Sequence, residues 1–296
     1  MVIRIDKITT GRFGNKILQY NTLVQLGKIY DVSCSFVQNN EITNFFKNVM
    51  PYIPSKKPVK LLTCKMILDN TKLDFNNYEY KIDDPACCLH NVFYKLTKED
   101  PRNFLVLKDR YKVDLSIDRL NIGIHIRGGD VITTDNGKEI HEFEYYKKSI
   151  EYVLKNYCEN KKYMFYICTD DTNFKTYKQT YNYFLEKKIP LQVGSVVGNK
   201  FQYIKDWSIL NNCNISINSS STFCITAGYL NKKNPKIIHS EKWINRNINH
   251  LKWNDTGEKE FVYGKGYKIK DFWKTFDNFW IDVSKNNDYY YCDKLI

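Results

Sequence analysis

A histidine, an arginine and an aspartate lie close together in His125-Ile-Arg127-Gly-Gly-Asp130, at the end of the apolar segment Ile122–Ile126. Such a segment is typical of a buried strand. Because side chains alternate along a strand, we expect His125 and Arg127 to point the same way at its carboxyl end. A guanidinium can donate two parallel hydrogen bonds to a phosphate. The pattern therefore favours a phosphate ligand, and the alternative is a core histidine followed by a surface arginine.

Three other polar loops each follow a predicted strand and precede a predicted helix. A helix amino terminus presents unpaired N–H groups and a positive dipole end, which suit a phosphate. The alternative for each loop is an ordinary tight turn or helix cap, because serine, threonine and aspartate are common caps. The loops are Gly11-Arg12-Phe13-Gly14-Asn15, Cys168-Thr169-Asp170-Asp171 and Asn218-Ser219-Ser220-Ser221-Thr222.

The elements that must position these loops alternate regularly from residue 121 onward. Strands that alternate with helices of this length predict an α/β fold with a parallel sheet and crossover helices. The predicted strands are Ile122–Ile126, Tyr163–Cys168, Leu191–Val193, Ile215–Ile217 and Lys236–His239. The predicted helices run from about Glu144 to Tyr157, Thr172 to Glu186, Phe201 to Asn212 and Phe223 to Asn231.

The amino-terminal part is predicted as a strand (Val2–Ile5), the glycine turn, a helix and a second strand (Cys34–Val37). In the helix, apolar residues at spacings of three and four form a buried stripe, and the small Gly27 at its end allows close packing. The stripe is Ile17, Tyr20, Val24 and Gly27. Residues 40–118 give a weak signal because prolines interrupt short mixed segments, and the aromatic tail after residue 243 is predicted to be helical.

Composition excludes several classes of protein. The chain has 296 residues, of which 43% are hydrophobic, and no apolar run is long enough to span a membrane. No signal-peptide pattern is visible, so we expect a soluble, cytoplasmic protein. The nine cysteines and five histidines are scattered without metal-ligand spacing, which indicates reduced thiols and no metal site. The net charge of +12 is spread along the chain, which argues against a specific nucleic-acid site.

Five segments resemble, in order, motifs of the α-1,2-fucosyltransferase family (glycosyltransferase family 11), one of the fucosyltransferase families that share an HxRxxD motif. GRFGNKILQY at 11–20 is similar to the opening G-x-[LF]-G-N-Q-x-x-Q-Y, and HIRGGD at 125–130 is similar to H-x-R-R-G-D. EYYKKSI at 144–150 resembles D-Y-Y-x-K-A-I, and TDD at 169–171 resembles S-D-D. SSTF at 220–223, with AGYLN at 227–231, resembles N-S-[ST]-F-S-W-W-x-A-x-L-N.

The resemblance implies a GT-B-like α/β fold with two Rossmann-like domains that face a cleft. We therefore expect an acceptor-side domain over 1–118, a domain that binds the GDP-sugar over 119–242, and a helical tail over 243–296 that packs back on the body. It also implies inverting transfer of fucose from GDP-fucose to a hydroxyl of a glycan acceptor, without a metal or any other cofactor. An α-1,2 linkage to galactose or a related sugar is the expected product.

The resemblance also implies roles for individual residues. Arg127 would neutralise the β-phosphate as the glycosidic bond breaks, which stabilises the leaving diphosphate electrostatically. Asp130 and Glu139 are both candidates for the base that activates the acceptor, and Asn15 would lie near the transferred sugar. The expected donor contacts are His125 and Asp170 at the guanosine, Ser221 and Thr222 at the diphosphate, and Ser220, Phe223, Arg12 and Gly14 around them.

The sequence departs from the family motifs at several positions. The second arginine of H-x-R-R-G-D is Gly128 here, which removes a possible phosphate contact, and the paired tryptophans are Ile225 and Thr226. These departures leave open a related GDP-sugar transferase with another donor or linkage. A third and more distant hypothesis, based on the net charge, is a non-enzymatic protein that binds polyanions.

Overall fold

The computed structural model describes residues 1–8, 12–63, 66–67, 71–82, 99–129, 141–194, 202–233, 235–239, 280–282 and 290–291. The described residues form two compact units that divide between Lys108 and Asp109, whereas the sequence analysis places the division at residues 118 and 119. None of the helices in these ranges is both long and apolar enough to cross a membrane.

The first unit is built on a parallel four-stranded sheet with the order β2-β1-β4-β3. Its elements are β1 (Val2–Ile5), α1 (Phe13–Tyr30), β2 (Ser33–Phe36), α2 (Glu41–Phe45), β3 (Val59–Leu62) and β4 (Glu79–Ile82), with a 3₁₀ turn at Pro101–Asn103. The capping box of Asn40 and Thr43 fixes the start of α2, because each side chain pairs with the backbone of the other. Helix α2, β3 and β4 all lie in the part of the sequence that gave a weak signal.

Helix α1 is packed on most of its circumference, since thirteen of its 18 residues are buried. The predicted stripe of Ile17, Tyr20, Val24 and Gly27 is confirmed as buried. A Cβ atom at Gly27 would lie 2.3 Å from the Cys34 Sγ in β2, so only glycine allows the helix to approach the strand this closely. The residues Phe13, Gly14 and Asn15 form the first turn of α1 rather than part of a loop, so that detail of the prediction was wrong.

One face of the first sheet carries a buried ionic cluster. The Arg4 side chain, which is 2% exposed, donates from Nη1 to Glu79 Oε2 (2.9 Å) and from Nε to Asp6 Oδ1 (2.6 Å). Ser55 donates a further hydrogen bond to Glu79 at 2.8 Å, and the Tyr52 hydroxyl accepts one from Arg4 at 3.2 Å. Buried charges are tolerated when they are paired and hydrogen-bonded, as these are.

The second unit is built on a seven-stranded sheet with the order β11-β10-β9-β8-β5-β6-β7, parallel except for β11. The strands are β5 (Leu120–Ile126), β6 (Tyr163–Thr169), β7 (Leu191–Val193), β8 (Ile215–Ile217), β9 (Lys236–His239), β10 (Trp280–Asp282) and β11 (Tyr290–Tyr291). The helices are α3 (Phe143–Tyr157), α4 (Lys175–Glu186), α5 (Gln202–Asn212) and α6 (Thr222–Tyr229), and a 3₁₀ turn lies at Asp109–Tyr111.

The central strand β5 is covered on both faces, which explains its continuous apolar run. Ile122, Ile124 and Ile126 are buried in a core cluster with residues of α3 and α4. On the other face, a Cβ atom at Gly123 would lie 2.8 Å from Leu210 of α5. Side-chain alternation therefore puts His125 on the α5 side of the sheet.

The predicted α/β architecture is confirmed, and every strand predicted after residue 121 is present. Helix α4 begins at Lys175 rather than near Thr172, because Thr169 and Asp171 accept hydrogen bonds from the amides of Asp171 and Asn173 and hold a turn there. Where the structure describes the tail, at 280–282 and 290–291, it contains strands rather than helix. These strands extend the edge of the second sheet.

Candidate functional site

Three adjacent strands of the second unit end in polar loops at one edge of the sheet. Strand β8 leads into residues 218–221, here called the serine turn, β5 leads into Arg127, and β6 leads into Asp170. Because β8, β5 and β6 are neighbours and parallel, their carboxyl ends meet at the same edge. Ligands bind at this edge in open α/β sheets.

The serine turn is buried and connects directly to α6. Ser219, Ser220 and Ser221 are each less than one-tenth exposed. The Ser221 hydroxyl accepts a hydrogen bond from the Phe223 amide at 3.3 Å and is the N-cap of α6. The Ser221 hydroxyl is therefore engaged in capping the helix, and the amino end of α6 is fixed at the sheet edge.

His125 attaches the end of β5 to the serine turn. Its Nδ1 atom lies 2.6 Å from the Ser219 Oγ atom, and its ring stacks on Phe223 with the centroids 5.1 Å apart. His125 is 6% exposed. The sequence prediction that His125 and Arg127 share one side of β5 agrees with this, because both side chains contact consecutive residues of the serine turn.

Arg127 is half-buried, and its Nη1 atom donates to the Ser220 carbonyl oxygen at 3.0 Å. This contact holds a cationic side chain beside the amino end of α6. Burial raises the pKa of the neighbouring Cys224 thiol to about 12, although the Ser219 hydrogen bond and the Arg127 charge act to lower it. Cys224 therefore remains a neutral thiol at physiological pH and adds no charge beside Arg127.

The Asp170 carboxylate lies against the two glycines that follow Arg127. Its Oδ1 atom accepts a hydrogen bond from the Gly128 amide at 2.8 Å. Gly129 has a φ of +30°, and a Cβ atom there would lie 2.6 Å from Asp170 Oδ2. A side chain at position 129 would thus be strained and would collide with the carboxylate.

Gly128 is closely packed as well. A Cβ atom at this position would lie 3.0 Å from the Cβ and Cγ atoms of Phe174 and 3.1 Å from the Asp171 Cβ atom. A long side chain at position 128, such as the second arginine of the motif that this segment resembles, would therefore require Phe174 to move.

His141 belongs to the same cluster but was missed by the sequence analysis. Its Nε2 atom lies 3.0 Å from the Ser220 Oγ atom, and its ring packs against Tyr145 with the centroids 4.6 Å apart. The Tyr145 hydroxyl donates to the Asn218 carbonyl oxygen at 2.7 Å. No motif marks His141, and the only available signal was its place just before a helix that belongs to a motif.

A buried carboxylate that the sequence analysis also missed is that of Asp206 in α5, which is 5% exposed. A Cβ atom at Gly194, the residue after β7, would lie 2.5 Å from the Asp206 Oδ1 atom. Asp206 therefore lies beside Gly194 at the carboxyl end of β7, at the same edge of the sheet as the serine turn.

The amino-terminal candidates Arg12, Gly14 and Asn15 lie in the first unit. Gly14 is buried, Arg12 is exposed, and Lys16, which stands where the motif that this segment resembles has a glutamine, forms an ion pair with Glu41. Within the described residues, the buried Asn15 Oδ1 atom has no hydrogen-bond donor. Two further buried polar atoms of the same helix, Asn21 Nδ2 and Thr22 Oγ1, also have no partner among the described residues, so this feature does not distinguish Asn15.

The two candidate bases, Asp130 and Glu139, fall outside the described residues. Within the described ranges, no group of three or more histidine, cysteine or acidic side chains is arranged to hold a metal ion.

Comparison with known proteins gives matches in structure but none in sequence. No protein-family model and no curated protein matches the chain. Arabidopsis thaliana FUT1, solved as a mutant in complex with GDP, matches with a TM-score of 0.54 at 12% identity, over 80% of this chain and 69% of that one. The NodZ alpha-1,6-fucosyltransferase co-crystallised with GDP gives 0.54 at 14% identity, over 80% and 93%.

A third structure, POFUT1 in complex with GDP, gives a TM-score of 0.50 at 11% identity, over 80% of this chain and 98% of that one. At identities this low the likeness shows the fold alone. The chain has a GT-B-like α/β fold, with one unit built on a parallel sheet and the other on a sheet that is parallel except for β11.

Proposed function

We propose that this chain is a glycosyltransferase that transfers fucose from GDP-fucose to a sugar hydroxyl. The observation that carries the proposal is the Arg127 guanidinium, which is held by the Ser220 carbonyl beside the amino end of α6. A cation and a helix amino terminus at the carboxyl edge of a parallel sheet form a site for a diphosphate. The fold likeness to FUT1, NodZ and POFUT1, each solved with GDP, supports GDP as that diphosphate.

We assign the donor contacts as follows. Arg127 binds the β-phosphate, and the serine turn with Thr222 and Phe223 holds the diphosphate near the start of α6. His125 and Asp170 help to hold the guanosine. The hydroxyls of Ser219, Ser220 and Ser221 already pair with His125, His141 and the Phe223 amide, which supports a role in shaping the site rather than as free donors.

In the proposed reaction the acceptor hydroxyl oxygen attacks C1 of fucose as the bond from C1 to the β-phosphate oxygen breaks. The bonding electrons leave with GDP, the hydroxyl proton passes to a carboxylate, and the configuration at C1 inverts. Arg127 stabilises the charge that develops on the leaving diphosphate, and such preorganised donors are a large part of catalysis. We retain Asp130 and Glu139 as candidates for the carboxylate, and no metal is required in this scheme.

We further propose that the chain belongs to the α-1,2-fucosyltransferase family and uses a galactose-type acceptor. The ordered motifs support this assignment. The alternative is a related GDP-sugar transferase with a different donor or linkage. The close packing of Gly128 against Phe174 and Asp171 supports this alternative, because a second arginine at that position would require these neighbours to move.

The test is transfer of radiolabelled sugar from GDP-fucose, GDP-mannose and UDP-galactose to a panel of galactose- and fucose-terminated oligosaccharides, with EDTA present. We expect turnover with GDP-fucose alone and an α-1,2-linked product. Turnover with another GDP-sugar would support the alternative, and a different linkage would overturn the family assignment. If no GDP-sugar is turned over and calorimetry shows no GDP binding, the proposed function is wrong.

A further inference from the structure

The serine turn is fixed at consecutive residues by side chains from two other segments. Tyr145 donates to the Asn218 carbonyl at 2.7 Å, and His125 Nδ1 lies 2.6 Å from the Ser219 hydroxyl. His141 Nε2 lies 3.0 Å from the Ser220 hydroxyl. The serine turn, which forms the candidate diphosphate site, is thus held in place by side chains that lie outside the turn.

Ser220 contacts both His141 and Arg127. Its hydroxyl pairs with His141, while its carbonyl oxygen accepts the hydrogen bond from Arg127 Nη1 at 3.0 Å. Because both contacts are made by one buried residue, which is 3% exposed, a displacement of Ser220 also displaces the acceptor that orients the guanidinium.

His141 is itself rigidly placed. It is 4% exposed, its ring packs against Tyr145 at 4.6 Å and edge-on to Tyr146 at 6.4 Å, and its carbonyl oxygen is 3.4 Å from the Thr176 hydroxyl. Side chains fixed by packing hold their partners within small tolerances, as a preorganised site requires.

We propose that His141 is a positioning residue for the diphosphate site: through Ser220 it fixes Arg127 without touching the ligand. This inference rests on the proposed function, because it takes the ligand of Arg127 to be the β-phosphate of GDP. It adds to that function a residue that no motif marks. It predicts that His141 affects ligands with a β-phosphate and spares ligands that lack one.

The test is calorimetric binding of GDP and GMP to the full chain carrying His141→Phe or His141→Gln. Phenylalanine keeps a ring against Tyr145 but lacks the hydrogen bond, whereas the glutamine amide can replace the Nε2 atom. For His141→Phe we expect GDP affinity to fall about tenfold, the equivalent of one hydrogen bond, with GMP affinity unchanged. For His141→Gln both affinities are expected to stay near the wild-type values.

Ser220→Ala breaks the same hydrogen bond from the other side and provides a second variant should His141→Phe not fold. We expect the same selective loss of GDP affinity. The double variant should show no further loss, because the two side chains act as one unit. An additive loss would overturn the proposed connection.

Tyr166→Phe is the matched control for loss of a buried hydrogen bond in the same unit. The buried Tyr166 hydroxyl donates to the Asn121 Oδ1 atom at 3.1 Å, at the amino end of β5 and away from the serine turn. We expect it to leave both affinities unchanged.

Equal losses of GDP and GMP affinity in His141→Phe would indicate a merely structural role and overturn the inference. The inference is also overturned if His141→Phe binds GDP as tightly as the wild-type chain. If GDP binds wild type and the binding depends on Arg127 but not on His141, only this inference fails. If GDP does not bind wild type, the proposed function fails and this inference fails with it.

Discussion

Each unit places an arginine on or beside a strand of a parallel sheet, but the two arginines have different surroundings. In the first unit, Arg4 is 2% exposed and is bound by the carboxylates of Glu79 and Asp6. In the second unit, Arg127 is half-buried and donates to the Ser220 backbone carbonyl at the edge where the polar loops meet.

The two guanidinium groups differ in the groups that they contact. The charge of Arg4 is neutralised inside the fold by residues of β4 and of the segment after β1, so it serves stability. A backbone carbonyl orients the Arg127 guanidinium at the edge where the polar loops of the second sheet begin. The comparison predicts that a substitution at Arg4 mainly lowers the free energy of unfolding, whereas a substitution at Arg127 mainly lowers activity.

The largest effect on stability is expected from Arg4→Met. Removing one member of a buried ion pair leaves the Glu79 carboxylate buried without its counter-ion, which costs about 3–5 kcal/mol. Urea unfolding should show this loss. Arg4→Met combined with Glu79→Gln should recover part of it, and a loss below about 1 kcal/mol in the single variant would show that the cluster is not a stabilising ion pair.

The largest effect on activity is expected from Arg127→Ala, which should lower kcat/KM by about 10²–10³-fold, as removal of one preorganised donor does. Its free energy of unfolding should change much less than in Arg4→Met. The matched control is Arg119→Ala, because Arg119 immediately precedes β5 whereas Arg127 immediately follows it. Similar losses of activity in both variants would show that the effect is not specific to the diphosphate site.

A smaller effect is expected from Gly128→Arg, which introduces the second arginine of the H-x-R-R-G-D motif that this segment resembles. Overpacking against Phe174 and Asp171 should destabilise the second unit by about 1–3 kcal/mol, and we expect no gain in GDP affinity. Thermal unfolding and GDP calorimetry measure the two effects. A variant of wild-type stability that binds GDP more tightly would contradict the packing argument.

The smallest effect is a dependence of stability on acid pH through Glu79. Burial alone would raise the pKa of Glu79, but hydrogen bonds from Ser55, the Lys56 amide and Arg4 lower it below its usual value. The unfolded state therefore binds this proton more readily, and the stabilisation is present above about pH 4.3 and lost as the pH falls through the lower folded pKa. Urea unfolding between about pH 3 and 7 should show that the free energy of unfolding changes less with pH in Glu79→Gln than in the wild-type chain.

The regular part of the second unit could be predicted because its signals are local. Apolar runs such as Ile122–Ile126 and Ile215–Ile217 mark buried strands, and the polar residues after them mark the ends. The first unit was harder to predict between residues 40 and 118, because β3 has three exposed residues out of four and so lacks an apolar run. Helix α2 is only five residues long and depends on the capping box of Asn40 and Thr43.

The candidate site was predicted in part for a similar reason. The polarity of the serine turn, the position of Arg127 after β5 and that of Asp170 after β6 are all visible in the sequence. The contact between His141 and Ser220 joins residues that are 79 positions apart, and no local pattern encodes it. The roles of Asp130 and Glu139 remain predictions.

By itself, the sequence determined which residues end the strands of the second sheet and which of them carry charge or hydroxyl groups, because strand periodicity and helix capping are local effects. Only the tertiary structure decided which ends meet. Strand β8 lies beside β5 although 93 residues separate Ser220 from Arg127, and this pairing puts the carbonyl in reach of the guanidinium. It also decided that a side chain at position 128 would press against Phe174 and Asp171, which are distant in sequence.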